Sequence, residues 1–302
     1  MGKEQYKWMV CVRCMTFNQS SYIVDAMNGF TMQETTFPFV CTIIDDASTD
    51  GEPEVIRNYL QENFDLEDKS VVRNEETENY VLCFAQHKKN RNCYFAVLWL
   101  KRNHYSIKKA KIPYIAEWKE NAKYIALCEG DDYWIDPLKL QKQVLFMEEH
   151  PNHSLCFCAH KDLYPSAMSK DKLRYEESVE ECPMHDIILG GGGYMATNSM
   201  LYRVSMYEPY SVWAKDCPIG DAPLMLTLAN KGKVGYIAEV MCVYRRFANG
   251  SWSQRISLSI KKKHKHYSGA SLHSAGSISF RVCDRRTAAC SGGYGIRGEF
   301  RG

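Results

Sequence analysis

The sequence predicts an α/β protein with a mostly parallel central sheet flanked by helices. Short, nearly continuous apolar segments recur along the chain, as in strands that are buried on both faces of a parallel sheet. Segments with apolar residues at helical spacing alternate with these strands. Acidic residues directly follow two of the apolar segments, at the strand ends where open α/β sheets bind their ligands.

Length and composition indicate an ordinary globular protein. With 302 residues, the chain can bury a large core, either as one domain or as two fused halves. Its 45% hydrophobic and 25% charged residues are typical of soluble proteins. No run approaches 18 apolar residues, and the N-terminus has no apolar segment of the signal-peptide kind. We therefore expect a cytoplasmic protein.

The first half of the chain is predicted to alternate strands and helices, with weaker signals after residue 73. The expected elements are a strand at 8–13, a helix containing Ile23, Met27 and Phe30, a strand at 38–44, a helix at 52–64 with Pro53 in its first turn, and a short strand at 69–73. For 74–123 we predict helical excursions. The chain then returns to the sheet with an apolar strand at 124–128.

The second half continues this alternation. The predicted elements are a helix starting at Asp136 and Pro137, strands at 154–160, 200–203 and 234–244, and a helix at 221–231 that is capped by Asp221 and ends at Gly232. Four glycines at 190–193 lack the Lys and Ser or Thr of a phosphate-binding loop. We interpret them as a mobile loop near an acceptor.

The C-terminal segment 261–302 differs in composition from the rest of the chain. It has nine Lys or Arg residues and two acidic residues, although the whole chain has a net charge of only +2. Because it lacks amphipathic periodicity, we predict a basic, disordered tail, with a non-native end as the alternative. The other predicted parts are residues 1–135, a ligand-binding half that contains both acidic motifs, and residues 136–260.

The thirteen cysteines are predicted to be free thiols. Cys11 and Cys14 have CxxC spacing, but residues three apart on a strand face opposite sides and cannot share a metal ion without a bend. No second CxxC is present to complete a zinc site. Scattered cysteines inside apparent strands are typical of a reducing compartment.

Two acidic pairs carry the functional hypothesis. Asp45–Asp46 and Asp131–Asp132 each follow a buried strand, so a parallel sheet brings all four carboxylates to one edge. Like charges placed together are costly unless a ligand compensates them. One pair can accept hydrogen bonds from a base or ribose, while the other holds a divalent cation on the phosphates of a nucleotide. A solvated acidic turn is the alternative for either pair alone.

These residues resemble family 2 glycosyltransferases, which have the GT-A fold. Residues 45–51 (DDASTDG) are similar to the DDxSxDG element of that family. Residues 129–134 (EGDDYW) resemble its DxD metal motif, in the form common among bacterial enzymes of surface-polysaccharide synthesis. The continuation through Asp136, Pro137, Lys139, Leu140 and Gln143 also fits. The resemblance covers residues 8–255 and implies a fused acceptor-binding, catalytic half at 136–260 behind a donor-binding half at 1–135.

The resemblance implies a role for each of these positions. Met15, Thr16 and Phe17 would line the base pocket, Asp46 would accept from the base, and Asp45 would support the loop or reach the ribose. Asp132 would be the principal ligand of Mn²⁺ or Mg²⁺, and Asp131 would contact the metal or the ribose. Asp221 would be the catalytic base, although it could also serve only as a helix cap. The acceptor contacts would be Trp134, Thr197, Asn198 and Ser199, with core packing as the alternative for Trp134.

The segment 74–123 departs from the compact region that the family has at this point. Asn103, Tyr105 and Lys108 are candidate phosphate contacts there. Arg245 or Arg246 could also hold phosphate.

The implied activity is an inverting transfer of a hexosyl group from a nucleoside diphosphate sugar, most simply a UDP-sugar, to a hydroxyl of a glycan or lipid-linked glycan. This activity is compatible with contact at the inner face of the cell membrane, and no nucleic acid partner is expected. A nucleotidyltransferase is the nearest alternative enzyme, but the chain lacks a glycine-rich loop with Arg or Lys for a triphosphate. A non-catalytic polyanion-binding protein that acts through its basic tail is the other alternative.

Overall fold

The structure is a computed structural model that describes residues 6–207, 221–249, 251 and 254. The predicted tail at 261–302 lies outside the described residues. The strands of the described part are β1 (Trp8–Thr16), β2 (Phe39–Asp45), β3 (Phe64–Asp65), β4 (Arg73–Glu76), β5 (Tyr80–His87), β6 (Cys93–Leu100), β7 (Ala122–Leu127), β8 (Tyr133–Trp134), β9 (His153–Leu163), β10 (Ser169–Lys172), β11 (Met200–Arg203) and β12 (Lys233–Arg245). The helices are α1 (Ile23–Thr31), α2 (Glu52–Asn63), α3 (Ala116–Glu120), α4 (Lys139–Glu149), α5 (Met184–Gly190) and α6 (Asp221–Lys231).

All twelve strands belong to one sheet, whose main order is β3-β5-β6-β2-β1-β7-β11-β9-β12-β8. Strands β6, β2, β1 and β7 run parallel in the centre, and β12 is parallel to β9. Strand β11 is antiparallel to both of its neighbours, β7 and β9. The prediction of a mostly parallel central sheet flanked by helices is confirmed.

The core has two layers, one on each face of the sheet. Helices α1, α2 and α4 cover one face through residues such as Phe30, Leu60 and Val144. Helices α5 and α6 cover the other face through Ile187 and Leu228. All seven residues of β2 are buried, as expected for a strand that lies between two helical layers. Within the described residues, no helix has both the length and the apolar character needed to cross a lipid bilayer.

The prediction of helical excursions at 74–123 is wrong for most of that segment. Strands β5 and β6 form an antiparallel hairpin there, and β6 pairs with β2 in parallel. Seven of the eight residues of β6 are buried. Periodicity cannot distinguish such a continuous apolar run from a buried helix, and only its pairing with β2 decides the outcome. The helical part is limited to a 3₁₀ turn at Ile112–Ile115 and to α3.

Helix α1 packs closely against β8. A Cβ atom at Gly29 would lie 2.8 Å from the backbone nitrogen of Trp134 and 3.0 Å from its carbonyl oxygen. Neither atom can move without shifting β8, because Trp134 is buried and its ring packs against Phe30 with the ring centres 5.0 Å apart. The absence of a side chain at residue 29 thus allows helix and strand to approach this closely.

Replacing Gly29 with Ala should lower the free energy of unfolding by about 1–3 kcal/mol, because the new methyl group overpacks a rigid contact. This loss should appear even though Ala is intrinsically better than Gly in a helix by about 1 kcal/mol. Urea unfolding measures the difference. Gly193→Ala is the control, since nothing lies within 4 Å of a Cβ atom there. Equal stability of the two variants would contradict the proposed contact.

Candidate functional site

Both acidic segments lie at the same edge of the sheet. In the parallel pair β1–β2, Thr16 is opposite Asp45, and the N–H of Asp46 donates to the carbonyl of Thr16 at 3.0 Å. On the other side of β1, the N–H of Gly130 donates to the carbonyl of Met15 at 3.1 Å. The end of β1 therefore holds the two loops side by side, as the strand pattern predicted.

Glu52 in the first turn of α2 organises this edge, and the sequence analysis did not single it out. Its fully buried carboxylate accepts hydrogen bonds from the Thr16 hydroxyl, from the N–H of Gln19 at 2.9 Å and from the Ser48 hydroxyl at 2.8 Å. Burial raises the pKa of Glu52, and these hydrogen bonds partly offset the effect. One carboxylate thus fastens the loop after β1 to the loop after β2.

Gly130 has a packing role between the two loops. It does not adopt a positive φ, in contrast to Gly51. A Cβ atom at residue 130 would lie 2.5 Å from Oε1 of Gln19 and 2.7 Å from Cβ of Thr16. Only glycine lets the second acidic loop approach the loop after β1 so closely.

The first acidic pair faces protein donors. Asp45 accepts the N–H of Ser48 at 3.1 Å and so supports its own loop. Asp46, which is 1% exposed, accepts the backbone N–H groups of His104 at 2.6 Å and Tyr105 at 3.0 Å, and its carboxylate lies 2.8 Å from the ammonium of Lys111. In this structure Asp46 contacts protein donors, and its contact with a base stays a prediction. Its carboxylate holds the segment 103–111.

The segment 103–111 contains the three candidate phosphate contacts. The side-chain amide of Asn103 donates to the carbonyl oxygen of Asp46 at 3.1 Å, so it too holds the loop. The side chain of Tyr105 is exposed, and Lys108 is an exposed residue with a positive φ of 55°. Lys111, which was not a candidate, is the residue of this segment whose charge reaches the acidic edge. No sequence pattern indicates this contact of Lys111, which becomes visible only in the folded structure.

The second acidic pair is fixed by the end of β12. Asp132 is 2% exposed, and its Oδ1 accepts the backbone N–H of Arg245 at 2.8 Å. The guanidinium of Arg245 donates to the carbonyl of Asp131 at 2.9 Å and forms an ion pair with Asp25 on α1. Burial, with Asp131 adjacent, raises the pKa of Asp132 well above its usual value. A buried carboxylate of this kind is stabilised by a nearby cation.

The residues at this edge fit a divalent cation that is shared with a phosphate ligand. No described residue donates a hydrogen bond to Oδ2 of Asp132, so this oxygen is available as a metal ligand. No group of three or more His, Cys, Asp or Glu side chains in the described part could hold a metal ion alone. Mg²⁺ and Mn²⁺ often bind through one or two carboxylates and complete their coordination with phosphate oxygens and water.

Asp221 lies at the start of α6, near enough to the second acidic loop for its charge to act on Glu129. Its carboxylate accepts the Thr197 hydroxyl at 2.9 Å. Burial raises the pKa of Asp221, while Thr197 and the charge of Arg13 lower it. The charge of Asp221 also acts on Glu129, whose pKa is raised to about 7, mainly by burial. Asp221 and the second acidic loop are therefore electrostatic neighbours.

Three of the four predicted acceptor contacts are core residues. Trp134 is 1% exposed, and its indole N–H donates to the carbonyl of Asn198 at 2.9 Å. Asn198 is fully buried and donates to the carbonyl of Val243 at 2.7 Å, and the buried Ser199 hydroxyl donates to Ala196 at 2.6 Å. Trp134 and Asn198 thus join β8, the turn before β11, and β12, and acceptor contact by these three buried residues stays a prediction. Thr197 alone reaches the site, through Asp221.

The base-pocket candidates lie at the end of β1. Thr16 is buried and donates its hydroxyl to Glu52 and to Gln19, whereas Met15 and Phe17 are half-buried. Thr16 therefore supports the loop, and its contact with a base stays a prediction. Met15 and Phe17 remain predictions for base contact.

No protein-family model matches the chain. Uncharacterized protein Rv1520 of Mycobacterium tuberculosis (strain ATCC 25618 / H37Rv) and uncharacterized protein Mb1547 of Mycobacterium bovis are each 32% identical to it over 239 residues, or 79% of this chain. The chain spans 59% of the length of these relatives.

Two solved glycosyltransferase structures resemble the fold. Residues 1–349 of Staphylococcus aureus TarS, in complex with UDP-GlcNAc, match with a TM-score of 0.50 and 15% identity over 81% of this chain and 60% of that chain. The mannosyltransferase PcManGT of Pyrobaculum calidifontis, in complex with GDP-Man and Mn²⁺, matches with a TM-score of 0.53 and 12% identity over 89% of this chain and 65% of that chain. The chain has a glycosyltransferase fold. The GT-A fold class that the sequence resemblance implied is confirmed.

Replacing Glu52 with Gln should lower the free energy of unfolding by about 1–3 kcal/mol. The carboxylate accepts three hydrogen bonds, and the NH₂ group of Gln cannot accept any of them. The matched control is Glu54→Gln on the same helix, where an exposed pair with Arg57 should contribute less than about 1 kcal/mol. Urea unfolding of both variants is the measurement. A loss at Glu54 as large as that at Glu52 would refute the role of this buried network.

Proposed function

We propose that the chain is an inverting, metal-dependent glycosyltransferase of the family 2 type. It would transfer a hexosyl group from a nucleoside diphosphate sugar, with UDP as the expected nucleotide, to a hydroxyl of a glycan or lipid-linked glycan. The observation that carries the proposal is the convergence of the buried Asp132 loop and Asp221 at one edge of a GT-A sheet. Residues 1–135 would bind the donor and residues 136–260 the acceptor.

The donor would bind across the ends of β1, β2 and β7. Met15 and Phe17 would contact the base, while Asp45 and Asp46 hold the surrounding loops rather than the ligand. Asp132, assisted by Asp131, would hold Mn²⁺ or Mg²⁺ on the diphosphate. The metal would stabilise the negative charge that develops on the departing nucleoside diphosphate.

Asp221 would activate the acceptor. Its carboxylate is oriented by Thr197 and would take the proton from the attacking hydroxyl as that oxygen displaces the nucleoside diphosphate at the anomeric carbon. A single displacement of this kind inverts the anomeric configuration. The site of action would be the cytoplasm, at the inner face of the membrane where a lipid-linked acceptor is presented.

Binding of UDP-sugars in the presence of Mn²⁺ should be lost or weakened by about tenfold or more in Asp132→Ala, because the main protein ligand of the metal is removed. Calorimetry against a panel of sugar nucleotides, with and without Mn²⁺, measures this effect. Asp171→Ala is the control, since Asp171 is an exposed carboxylate on β10. Metal-independent binding by the unmodified chain would contradict the site assignment.

Replacing Asp221 with Asn should leave donor affinity within about twofold and slow sugar transfer by about 10²–10⁴-fold, because only the proton acceptor is removed. Donor titration and a transfer assay on the same preparation separate the two effects. Near-normal turnover would exclude Asp221 as the base, and Glu129→Gln would then test the neighbouring carboxylate.

A further inference from the structure

A basic cavity of about 290 Å³ lies beside the candidate site and takes no part in the proposed chemistry. Its walls come from β9, β10, the end of β12 and the segment after α5. The side chains that define it are Phe157, His160, Lys172, Arg174, Tyr194 and Arg246. Gly193 also lines it, so the glycine run that the sequence predicted to lie near an acceptor borders this cavity.

Positive charge exceeds negative charge in and around this cavity. Among the described residues that line it, Lys172, Arg174 and Arg246 are cationic, and none carries a carboxylate. Within the described residues, the guanidinium of Arg174 donates to the backbone carbonyls of Gly193, at 3.1 Å, and Tyr194, at 2.6 Å, and it lies 4.3 Å from the centre of the Tyr194 ring. No described carboxylate forms an ion pair with Arg174. Its charge is therefore available to a ligand.

One buried carboxylate, Asp162, organises the other basic groups from behind the cavity. It is 1% exposed and lies 2.9 Å from Nε of Arg246, 3.4 Å from Nε2 of His160 and 3.8 Å from Nζ of Lys172. Burial alone would raise the pKa of Asp162, but His160 and Arg246 lower it below its usual value, so the group is ionised. The buried Oδ2 of Asp162 accepts no hydrogen bond from the described residues. The single carboxylate of Asp162 thus positions Lys172, Arg246 and His160. Its one negative charge offsets only part of their positive charge.

The cavity adjoins the proposed base and the metal loop. Thr197, which donates to Asp221, comes two residues after Met195, and Met195 lines the cavity. Arg246 directly follows Arg245, whose N–H donates to Asp132. Tyr244 precedes these two arginines, and its ring centre is 4.5 Å from the Arg246 guanidinium. The pKa of Tyr244 is raised mainly by burial, and the negative charges of Asp132, Asp131 and Asp221 raise it further, so Tyr244 is close to all three.

We propose that this cavity is an acceptor subsite for an anionic group, a phosphate or a carboxylate, carried by the glycan next to the hydroxyl that Asp221 activates. The inference rests on the proposed function and adds the chemical class of the acceptor. Lys172, Arg174 and Arg246 offer charge-assisted hydrogen bonds to such a group, and the arginine fork can bind its oxygens in pairs. A neutral glycan would leave the excess positive charge of this cavity uncompensated, because Asp162 supplies one negative charge against three cations.

The test measures binding of inorganic phosphate, glucuronate and glucose to the full chain by calorimetry. Both anions should bind more tightly than glucose. Affinity for the preferred anion should fall by about tenfold in Lys172→Gln and in Arg246→Gln, because each change removes one charge-assisted contact. Lys161→Gln is the control of equal charge. Lys161 lies on β9 and pairs with Asp171 at 3.6 Å, but it does not line the cavity.

The outcomes identify the ligand or overturn the inference. A response to phosphate but not to glucuronate indicates a phosphate-bearing acceptor, and the reverse indicates a uronic acid. Glucose binding as tight as that of the anions, or unchanged anion binding in Lys172→Gln, overturns the subsite. Lys172 is half-exposed and lies 3.8 Å from Asp162, so this variant tests the charge without disturbing the core, whereas Arg246→Gln also removes the closer partner of Asp162, at 2.9 Å.

A UDP titration in the presence of Mn²⁺ separates this inference from the proposed function. If Lys172→Gln weakens UDP binding as much as phosphate binding, the cavity serves the donor and the inference is overturned. If UDP does not bind the unmodified chain while the phosphate response persists, the proposed function fails and anion recognition by the cavity stands.

Discussion

The cost of burying negative charge determines how the functional edge of this protein is built. Asp45, Asp46, Glu52 and Asp132 are each at most 2% exposed, and they lie where β1, β2 and β7 end. A buried carboxylate is tolerated only when donors or a cation compensate its lost hydration. The donors come from distant parts of the chain: Gln19 for Glu52, the segment 103–111 for Asp46, and Arg245 for Asp132. The loops around the site are thus ordered by the same interactions that make the carboxylates tolerable.

The sequence predicted this edge well because the relevant rule is local. An apolar strand followed by acidic residues places those residues at a strand end, and parallel strands bring such ends together. The roles of single residues depended on partners that no local pattern shows. Trp134 directly follows the acidic motif, where a ligand contact is expected. Instead it is buried against Gly29 of α1, and its indole N–H donates to the carbonyl of Asn198. Asp46 resembles an open acceptor, but its donors lie nearly sixty residues further along the chain.

The hairpin of β5 and β6 shows that a whole strand can also depend on a partner that no local sequence pattern indicates. Its second strand is as apolar as a buried helix would be, and only the parallel register with β2 determines its conformation. Glu52 illustrates the opposite case. An acidic residue in the first turn of a helix is expected to interact favourably with the helix dipole at the surface. Here it is fully buried because Thr16, Gln19 and Ser48 surround it.

The dipeptide Arg245–Arg246 connects the two sides of the proposed reaction. Successive side chains at the end of a strand point in opposite directions, so Arg245 reaches the Asp131–Asp132 loop while Arg246 reaches Asp162. The proposed donor side is rich in carboxylates and would need a metal ion to accept a diphosphate, whereas the cavity is rich in cations and would accept an anion directly. This difference in charge would keep the two anionic substrates apart. A diphosphate with its bound metal matches the acidic edge, and an acceptor anion without metal matches the basic cavity.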